Sequence, residues 1–168
     1  MDITIRKATP EDAYDYAVCK NKSWKSAYKG IVPEDFLNNL SDEEYTERNK
    51  QLFISSGDEE FYCVEQNNKI IGILSICKSR DEDKQNAGEI MAIYLLEEYW
   101  DKGYGRKMMN FAMKRLYELG FNEIIIWSFE ANERANNFYK KFGFTPDDSK
   151  KELNLGKPLP IIRHTLIK

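Results

Sequence analysis

The feature that most constrains this chain is the segment 89–119, where a strand-like run passes through Gly103-Tyr104-Gly105 into an amphipathic helix. The run from Glu89 to Leu96 is fairly apolar throughout, which is typical of a strand in the middle of a sheet. From Gly105 to Leu119 the apolar residues recur at helical spacing. Two glycines at the start of a helix let backbone N–H groups close on an anion, and the helix dipole adds partial positive charge there. The segment therefore favours an α/β fold with an anion site, suited to a pyrophosphate.

The glycine motif is short, and two other interpretations fit it. A Gly-x-Gly before a helix is often only a tight turn. A dinucleotide-binding site fits less well, because the third glycine and a later strand ending in an acid are missing. Arg106 and Lys107 follow the motif and add two positive charges beside it.

The rest of the pattern predicts a single α/β domain over residues 1–168 with a mixed sheet, a length that suits one domain with its own core. The predicted order is a strand at 3–8, three helices between 10 and 54, a hairpin at 60–78, the strand and helix described above, a strand at 122–128, a helix at 132–141, and an irregular β region from 144 that closes with a strand at 159–167. Asn67-Asn68 is the predicted hairpin turn.

Composition excludes several classes of function. The net charge is -3 and the pI about 5.4, which argues against binding to nucleic acid or to an anionic membrane surface. The first residues, MDITIRKATPEDA, contain no apolar signal core, and no apolar run approaches the roughly 18 residues that span a bilayer, so we expect a cytoplasmic protein. His164 is the single histidine, and the three cysteines (Cys19, Cys63 and Cys77) fit no metal or redox spacing. We therefore expect reduced thiols, no metal site and no histidine-based triad.

A second segment gives the glycine motif a family context. It contains Asn132, Ala135, Phe138-Tyr139 and Gly143-Phe144. Together the two segments resemble the GNAT superfamily of N-acetyltransferases, whose pyrophosphate loop has the form Gln/Arg-x-x-Gly-x-Gly/Ala. The resemblance is strongest over residues 60–145, and the gap between the segments fits one helix and one strand, as in the family. One position departs from the pattern, since Trp100 stands where the family has Gln or Arg.

The resemblance implies a GNAT-like fold: a mixed, mostly antiparallel sheet of six to seven strands, flanked by helices and splayed between the two central parallel strands. It also implies acetyl-CoA as the co-substrate, with no metal. The strand residues that would pair with the pantetheine arm and polarise the thioester carbonyl are Ile93, Tyr94 and Leu95. The residues that would hold the pyrophosphate are Lys102, Gly103, Tyr104, Gly105 and Arg106. Asn132 and Phe138 would line the sulfur end of the coenzyme.

Catalysis requires that the attacking amine be neutral and that the departing thiolate receive a proton. Tyr139 matches the tyrosine that protonates the thiolate in many family members, although a half-buried aromatic on an amphipathic helix is the commoner fate of a tyrosine. Glu89 lies fourteen positions before Gly103 (89 to 103), like the catalytic glutamate of the histone-acetylating branch. It could equally be an acid at the exposed start of a strand. Glu130 and a water-relayed proton remain open, whereas the base position of another branch is occupied by Trp127.

The acceptor site is expected from the first helices and the late β region. Trp24 and Tyr28, with Asp35 and Phe36, would suit a cationic amine; alternatively, the two aromatic residues only pack the helices onto the sheet. The predicted function is transfer of an acetyl group from acetyl-CoA to a primary amine, of a small molecule or a peptide, by direct transfer in a ternary complex. The alternatives are a non-catalytic acyl-CoA-binding sensor or interaction module of the same fold, and a nucleotide-binding protein without acyl chemistry. The identity of the amine stays open, and a homodimer is compatible with the family.

Overall fold

A computed structural model describes residues 2–55 and 57–168, and these residues form a seven-stranded sheet in the order β1-β2-β3-β4-β5-β7-β6. The strands are β1 Thr4–Lys7, β2 Glu60–Gln66, β3 Lys69–Lys78, β4 Gly88–Leu95, β5 Glu123–Phe129, β6 Thr145–Asn154 and β7 Pro158–Ile167. The α-helices of this part of the chain are α1 Ala13–Ala27, α2 Glu34–Asn38, α3 Asp42–Ile54, α4 Tyr104–Glu118 and α5 Glu133–Lys140. Short 3₁₀ turns lie at Pro10–Asp12, Glu82–Lys84 and Glu97–Tyr99.

The sheet is mixed, as the sequence pattern predicted, and mostly antiparallel, as the family resemblance implied. β4 and β5 pair in parallel, and the other neighbouring strands pair antiparallel. The predicted hairpin at 60–78 is β2 and β3, and its turn residues Asn67 and Asn68 both have left-handed backbone, with φ of 51° and 60°. Asparagine tolerates this conformation better than most residues.

The two parallel strands separate soon after they meet. Their register covers only Gly88–Ile90 of β4 against Ile124–Ile126 of β5. At this point the β3–β4 register shifts, so that Met91 is an extra residue on β4. An extra residue bends a strand, and the splay predicted between the central strands opens here.

The helices cover both faces of the sheet. Met109, Ala112 and Leu116 of α4 are fully buried in one cluster with Leu74 and Ile90 of the sheet. Tyr16 and Cys19 of α1 pack with Cys63 and Ile73, which alternate with the previous set along the strands and therefore face the other side. The sheet thus separates an α4–α5 layer from an α1–α3 layer.

Two boundaries differ from the sequence prediction. The first of the three helices predicted between 10 and 54 begins as a 3₁₀ turn at Pro10–Asp12, and the α-helix itself, α1, starts only at Ala13. The β region after Phe144, predicted as irregular, is a long hairpin of β6 and β7 whose register shifts between Pro146 and Lys150. Proline has no N–H to give to a ladder, so Pro146, Pro158 and Pro160 obscure the strand pattern in the sequence.

Candidate active site

An open cleft of about 830 Å³ lies where β4 and β5 separate. Its walls come from the far half of β4, the start of α4, one side of α5 and the end of α1. Ten of the predicted site residues line it: Tyr28, Ile93, Tyr94, Leu95, Gly103, Gly105, Arg106, Asn132, Phe138 and Tyr139. Four others do not: Trp24, Glu89, Lys102 and Tyr104.

The start of α4 forms one end of the cleft. Gly103 is the N-cap residue of this helix and has a φ of +82°, a left-handed conformation that glycine adopts without strain. Because the first N–H groups of a helix have no partner within it, those of the first turn are free to meet an anion. Arg106 and, on other elements, Arg134 and Lys141 line the same cleft. This end therefore combines backbone donors with positive side chains.

Two predicted phosphate-loop residues have side chains directed elsewhere. The ammonium of Lys102 donates to the carbonyl of Glu98, 2.6 Å away. The Tyr104 ring is buried against Met108, and its hydroxyl accepts a hydrogen bond from Gln66. Any part these two residues take in holding a phosphate is therefore limited, in this structure, to their backbone.

One backbone edge of β4 faces the opening. Beyond Ile90 this strand pairs with β3 on one side only, so the N–H and C=O groups directed to the other side near Ile93 and Leu95 have no ladder partner. Trp100 Nε1 donates to the carbonyl of Leu95 at 2.8 Å, which ties the glycine loop to the strand end. An extended chain with amide groups can pair with such an edge.

Tyr139 lies on α5 and is 8% exposed, with its ring edge-on to Phe138, Phe144 and His164. Burial raises the pKa of its hydroxyl, and the nearby Tyr94 hydroxyl raises it further. The group therefore stays protonated at neutral pH and can donate a proton or a hydrogen bond within the cleft.

A buried polar network fixes α5, and Tyr139 with it, on the sheet. Ser128 of β5 donates to Asn136 Oδ1 at 2.6 Å, and its oxygen is 2.9 Å from His164 Nε2 on β7. Burial lowers the pKa of His164, so its imidazole stays neutral. The single histidine thus anchors the helix, and sequence spacing gave no sign of this role because its partners are distant along the chain.

Aromatic side chains form the α1 end of the cleft. The Tyr28 and Tyr94 hydroxyls are 2.8 Å apart, and burial raises the pKa of both. Trp24 packs edge-on behind Tyr28 with ring centroids 5.0 Å apart. Tyr28 therefore lies at the cleft wall, where an acceptor could contact it. Trp24 does not line the cleft and packs against Tyr28, which fits the packing alternative.

The structure does not bring the predicted base to the cleft. Glu89 is 2% exposed, and its carboxylate accepts from Arg80 Nη2 at 2.7 Å and from Arg80 Nε at 3.2 Å. Glu130 is exposed and pairs with Lys150 at 2.6 Å. Trp127, at the position of the other branch's base, donates from Nε1 to Asp81 at 2.9 Å. The role of Glu89 as a base stays a prediction.

Comparison with known proteins agrees with this geometry. The profile of the "Acetyltransferase (GNAT) family" matches residues 24–144. The chain is 32% identical over 130 residues to the uncharacterized N-acetyltransferase YuaI of Bacillus subtilis, which covers 77% of this chain and 73% of that protein. It is 27% identical over 153 residues to a spermidine N(1)-acetyltransferase of Thermoplasma acidophilum, covering 89% of this chain and 92% of that protein.

Comparison with solved structures shows the same fold. The crystal structure of the PaiA N-acetyltransferase from Thermoplasma acidophilum in complex with coenzyme A superimposes with a TM-score of 0.81 at 24% identity, covering 100% of both chains. The chain therefore belongs to the GNAT family of acetyltransferases, as its two motifs predicted. It is an N-acetyltransferase that uses acetyl-CoA as co-substrate and transfers the acetyl group to an amine.

Two findings concern other classes of site. Within residues 2–55 and 57–168, no group of three or more His, Cys, Asp or Glu side chains is placed to hold a metal ion. In the same residues, no helix is both long enough and apolar enough to cross a membrane.

Proposed function

We propose that the chain acetylates a primary amine of a small cationic molecule, of the polyamine class, by direct transfer from acetyl-CoA, with Tyr139 as the proton donor to the thiolate. The observation that carries the proposal is that Tyr139, whose hydroxyl stays neutral, lines one cleft together with the start of α4 and the aromatic residues Tyr28 and Tyr94. These three features supply an anion site, a proton donor and a surface for a cation.

The residues of the cleft fit acetyl-CoA, which supplies an acetyl group already activated as a thioester. Gly103 and Gly105 leave the backbone at the start of α4 accessible, and a Cβ built at Gly105 would lie 3.5 Å from the Phe138 ring. Among the lining residues that the structure describes, three side chains are positively charged (Arg106, Arg134 and Lys141) and one, Asp101, is a carboxylate. The cleft therefore has an excess of positive charge. An anion of several charges, such as a coenzyme with phosphates, suits this balance.

Direct transfer is supported by the state of the cysteines. Cys19, Cys63 and Cys77 are all buried and free, and burial raises the pKa of each thiol to about 12. The thiolate is the nucleophilic form of cysteine, so these thiols are poor acetyl carriers at neutral pH. None of them lines the cleft among the residues described.

The choice of a cationic acceptor rests on the aromatic wall and on the relative. Tyr28, Tyr94 and Tyr139 line the cleft, and aromatic rings can attract a cation. The chain also has a net charge of -3. The relative named a spermidine N(1)-acetyltransferase matches nearly its whole length to this chain. Both observations make a polyamine the first acceptor to test.

The acceptor's proton needs a route out of the cleft, and Glu89 remains the candidate base. For it to act, Arg80 must release its carboxylate, which the 64% exposed side chain of Arg80 permits. Glu89→Gln should then lower kcat/KM for the amine. Arg80→Ala, the matched control, keeps the carboxylate and should stay closer to wild type. A Glu89→Gln enzyme with wild-type kcat/KM would instead point to proton loss through water.

The proposal is tested by measuring thiol release from acetyl-CoA with a panel of amines, with each product identified by mass spectrometry. The panel contains spermidine, spermine and putrescine beside a lysine peptide, a peptide with a free N-terminus, an aminoglycoside and an amino acid. We expect kcat/KM to be highest for a polyamine. Acetylation of a peptide alone would overturn the acceptor class. Coenzyme binding without turnover of any amine would favour the non-catalytic sensor.

Three further expectations go with the proposal. We propose that residues 1–168 act as one domain, that the protein is cytoplasmic, and that neither nucleic acid nor a membrane is a partner. Whether the chain forms a homodimer can be measured by sedimentation of the purified protein. None of these expectations is needed for the chemistry described above.

A further inference from the structure

The cleft contains a second feature beside the glycine loop, formed by Trp100, Asp101 and Arg134. All three residues line the cleft. The guanidinium carbon of Arg134 lies 4.4 Å from the centre of the Trp100 ring, and Arg134 Nη2 donates to Asp101 Oδ1 at 3.0 Å. The Arg134 guanidinium, on α5, thus lies against Trp100 and Asp101 at the start of the glycine loop.

Trp100 is held in place independently of Arg134. Its indole N–H donates to the Leu95 carbonyl at the end of β4, so the ring is fixed at its edge and its face is left for stacking. A guanidinium that stacks on an aromatic face lies roughly parallel to the ring. Its N–H groups then point outward in the guanidinium plane, where two of them can bind two oxygen atoms at once. The ring therefore orients Arg134 without using its donors.

The ion pair with Asp101 is weak enough to exchange. The Arg134 side chain is 56% exposed and that of Asp101 84%, and pairs this exposed contribute little because water and salt screen them. Asp101 also has a left-handed backbone, with φ of 58°. A phosphate carries more charge than one carboxylate and accepts two parallel hydrogen bonds from arginine.

We propose that Arg134, stacked on Trp100, is a phosphate-binding residue for coenzyme A and supplies the charge and donors that Trp100 cannot give at the head of the loop. Asp101 forms an ion pair with the Arg134 guanidinium in the absence of coenzyme A, and a phosphate of the bound coenzyme replaces the Asp101 carboxylate. This phosphate is either part of the pyrophosphate or the 3′-phosphate. Dephospho-CoA distinguishes the two, because it keeps the pyrophosphate and lacks the 3′-phosphate.

The test is calorimetric titration of coenzyme A into wild type, Arg134→Ala, Arg134→Lys and Asp101→Asn. Losing a bidentate charge-assisted contact should weaken binding roughly tenfold or more in Arg134→Ala. Arg134→Lys keeps the charge without the fork and should fall between that variant and wild type. Asp101→Asn removes the competing charge and keeps a residue that tolerates left-handed backbone, so it should bind more tightly. Arg48→Ala, which removes an exposed charge on α3, should match wild type.

Comparison with shorter ligands shows which phosphate is bound and separates phosphate binding from a merely structural role. If dephospho-CoA binds Arg134→Ala and wild type equally, the contact is to the 3′-phosphate; if the variant stays weaker, it is to the pyrophosphate. An Arg134→Ala protein that binds coenzyme A like wild type overturns the inference. So does one that loses affinity equally for coenzyme A and for a pantetheine thioester without phosphates. Failure of wild type to bind coenzyme A would count against the function itself.

Discussion

Tyr139 illustrates how burial sets the chemistry of one side chain. Tyr139 lines the cleft, and its ring packs among Phe138, Phe144 and His164. Because burial disfavours the phenolate, the pKa of Tyr139 is raised and the proton stays available over the neutral and mildly alkaline range. If Tyr139 is the proton donor that we propose, loss of its hydroxyl should slow transfer without changing the shape of the cleft.

We therefore expect Tyr139→Phe to lower kcat by roughly 100-fold, the lower range for general acid catalysis, with little change in the Kd of acetyl-CoA. Steady-state kinetics and calorimetry on the same preparation measure the two quantities. Tyr117→Phe, on the partly exposed side of α4, is the control and should leave both unchanged. A Tyr139→Phe enzyme with wild-type kcat would remove the tyrosine from the mechanism.

Single residues also mark the limit of what the sequence could predict about the site. Gly103, Asn132 and Tyr139 belong to spaced motifs, so their positions could be predicted before the structure was known. Arg134 and His164 could not be assigned in this way, since their roles depend on Trp100 in one case and on Ser128 in the other, at positions far along the chain.

At the level of elements, α4 and α5 were predictable because local signals coincide. α4 has its buried residues on one face, and the side chain of Asn132 caps α5 by accepting from the Ala135 N–H at 3.2 Å. The β4–β5 splay was expected only from the family resemblance. Its cause, the extra residue at Met91, is a mismatch in register between β3 and β4 and leaves no pattern in the β4 sequence.

The glycines at the two ends of α4 allow a matched test of the anion site. Gly103 and Gly120 both have left-handed backbone, with φ of 82° and 94°, and neither would bring a Cβ within 4 Å of another group. Alanine at either position should cost roughly 1–2 kcal/mol of unfolding free energy. Only Gly103→Ala should also weaken coenzyme A binding, because it alters the turn that presents the N–H groups. Equal coenzyme affinity in the two variants would contradict a site at the start of α4.

Across the whole molecule, ion pairs join elements that are distant in the chain. Glu60 of β2 accepts from Arg115 of α4 at 2.7 and 2.8 Å. This guanidinium lowers the pKa of Glu60 from 4.5 to about 2. A folded-state pKa below the unfolded one stabilises the fold fully above the unfolded value, and the stabilisation is lost as the pH falls toward the folded value.

We therefore expect Glu60→Gln to lower the free energy of unfolding by about 1–2 kcal/mol at neutral pH, after allowance for solvent screening. The difference from wild type should shrink as the pH falls from about 4.5 toward 2. Urea unfolding at a series of pH values measures it. Glu47→Gln, whose exposed carboxylate pairs with Lys50, should differ little from wild type at any pH. A difference for Glu60→Gln that grows in acid would contradict the ion-pair account.

The cleft between the separated strands is the feature on which the whole account depends, and hydrogen exchange measured by mass spectrometry tests it most directly. Exchange would be followed with and without coenzyme A. Residues 93–95 and 103–106 should exchange more slowly when the coenzyme is bound, because backbone N–H groups at the strand edge and the start of α4 gain partners. Residues 132–139, most of whose N–H groups are already bonded within and around α5, should also slow, because a ligand held against the helix opposes its local opening. Protection confined to other parts of the chain, or none despite binding, would show that the coenzyme does not occupy this cleft.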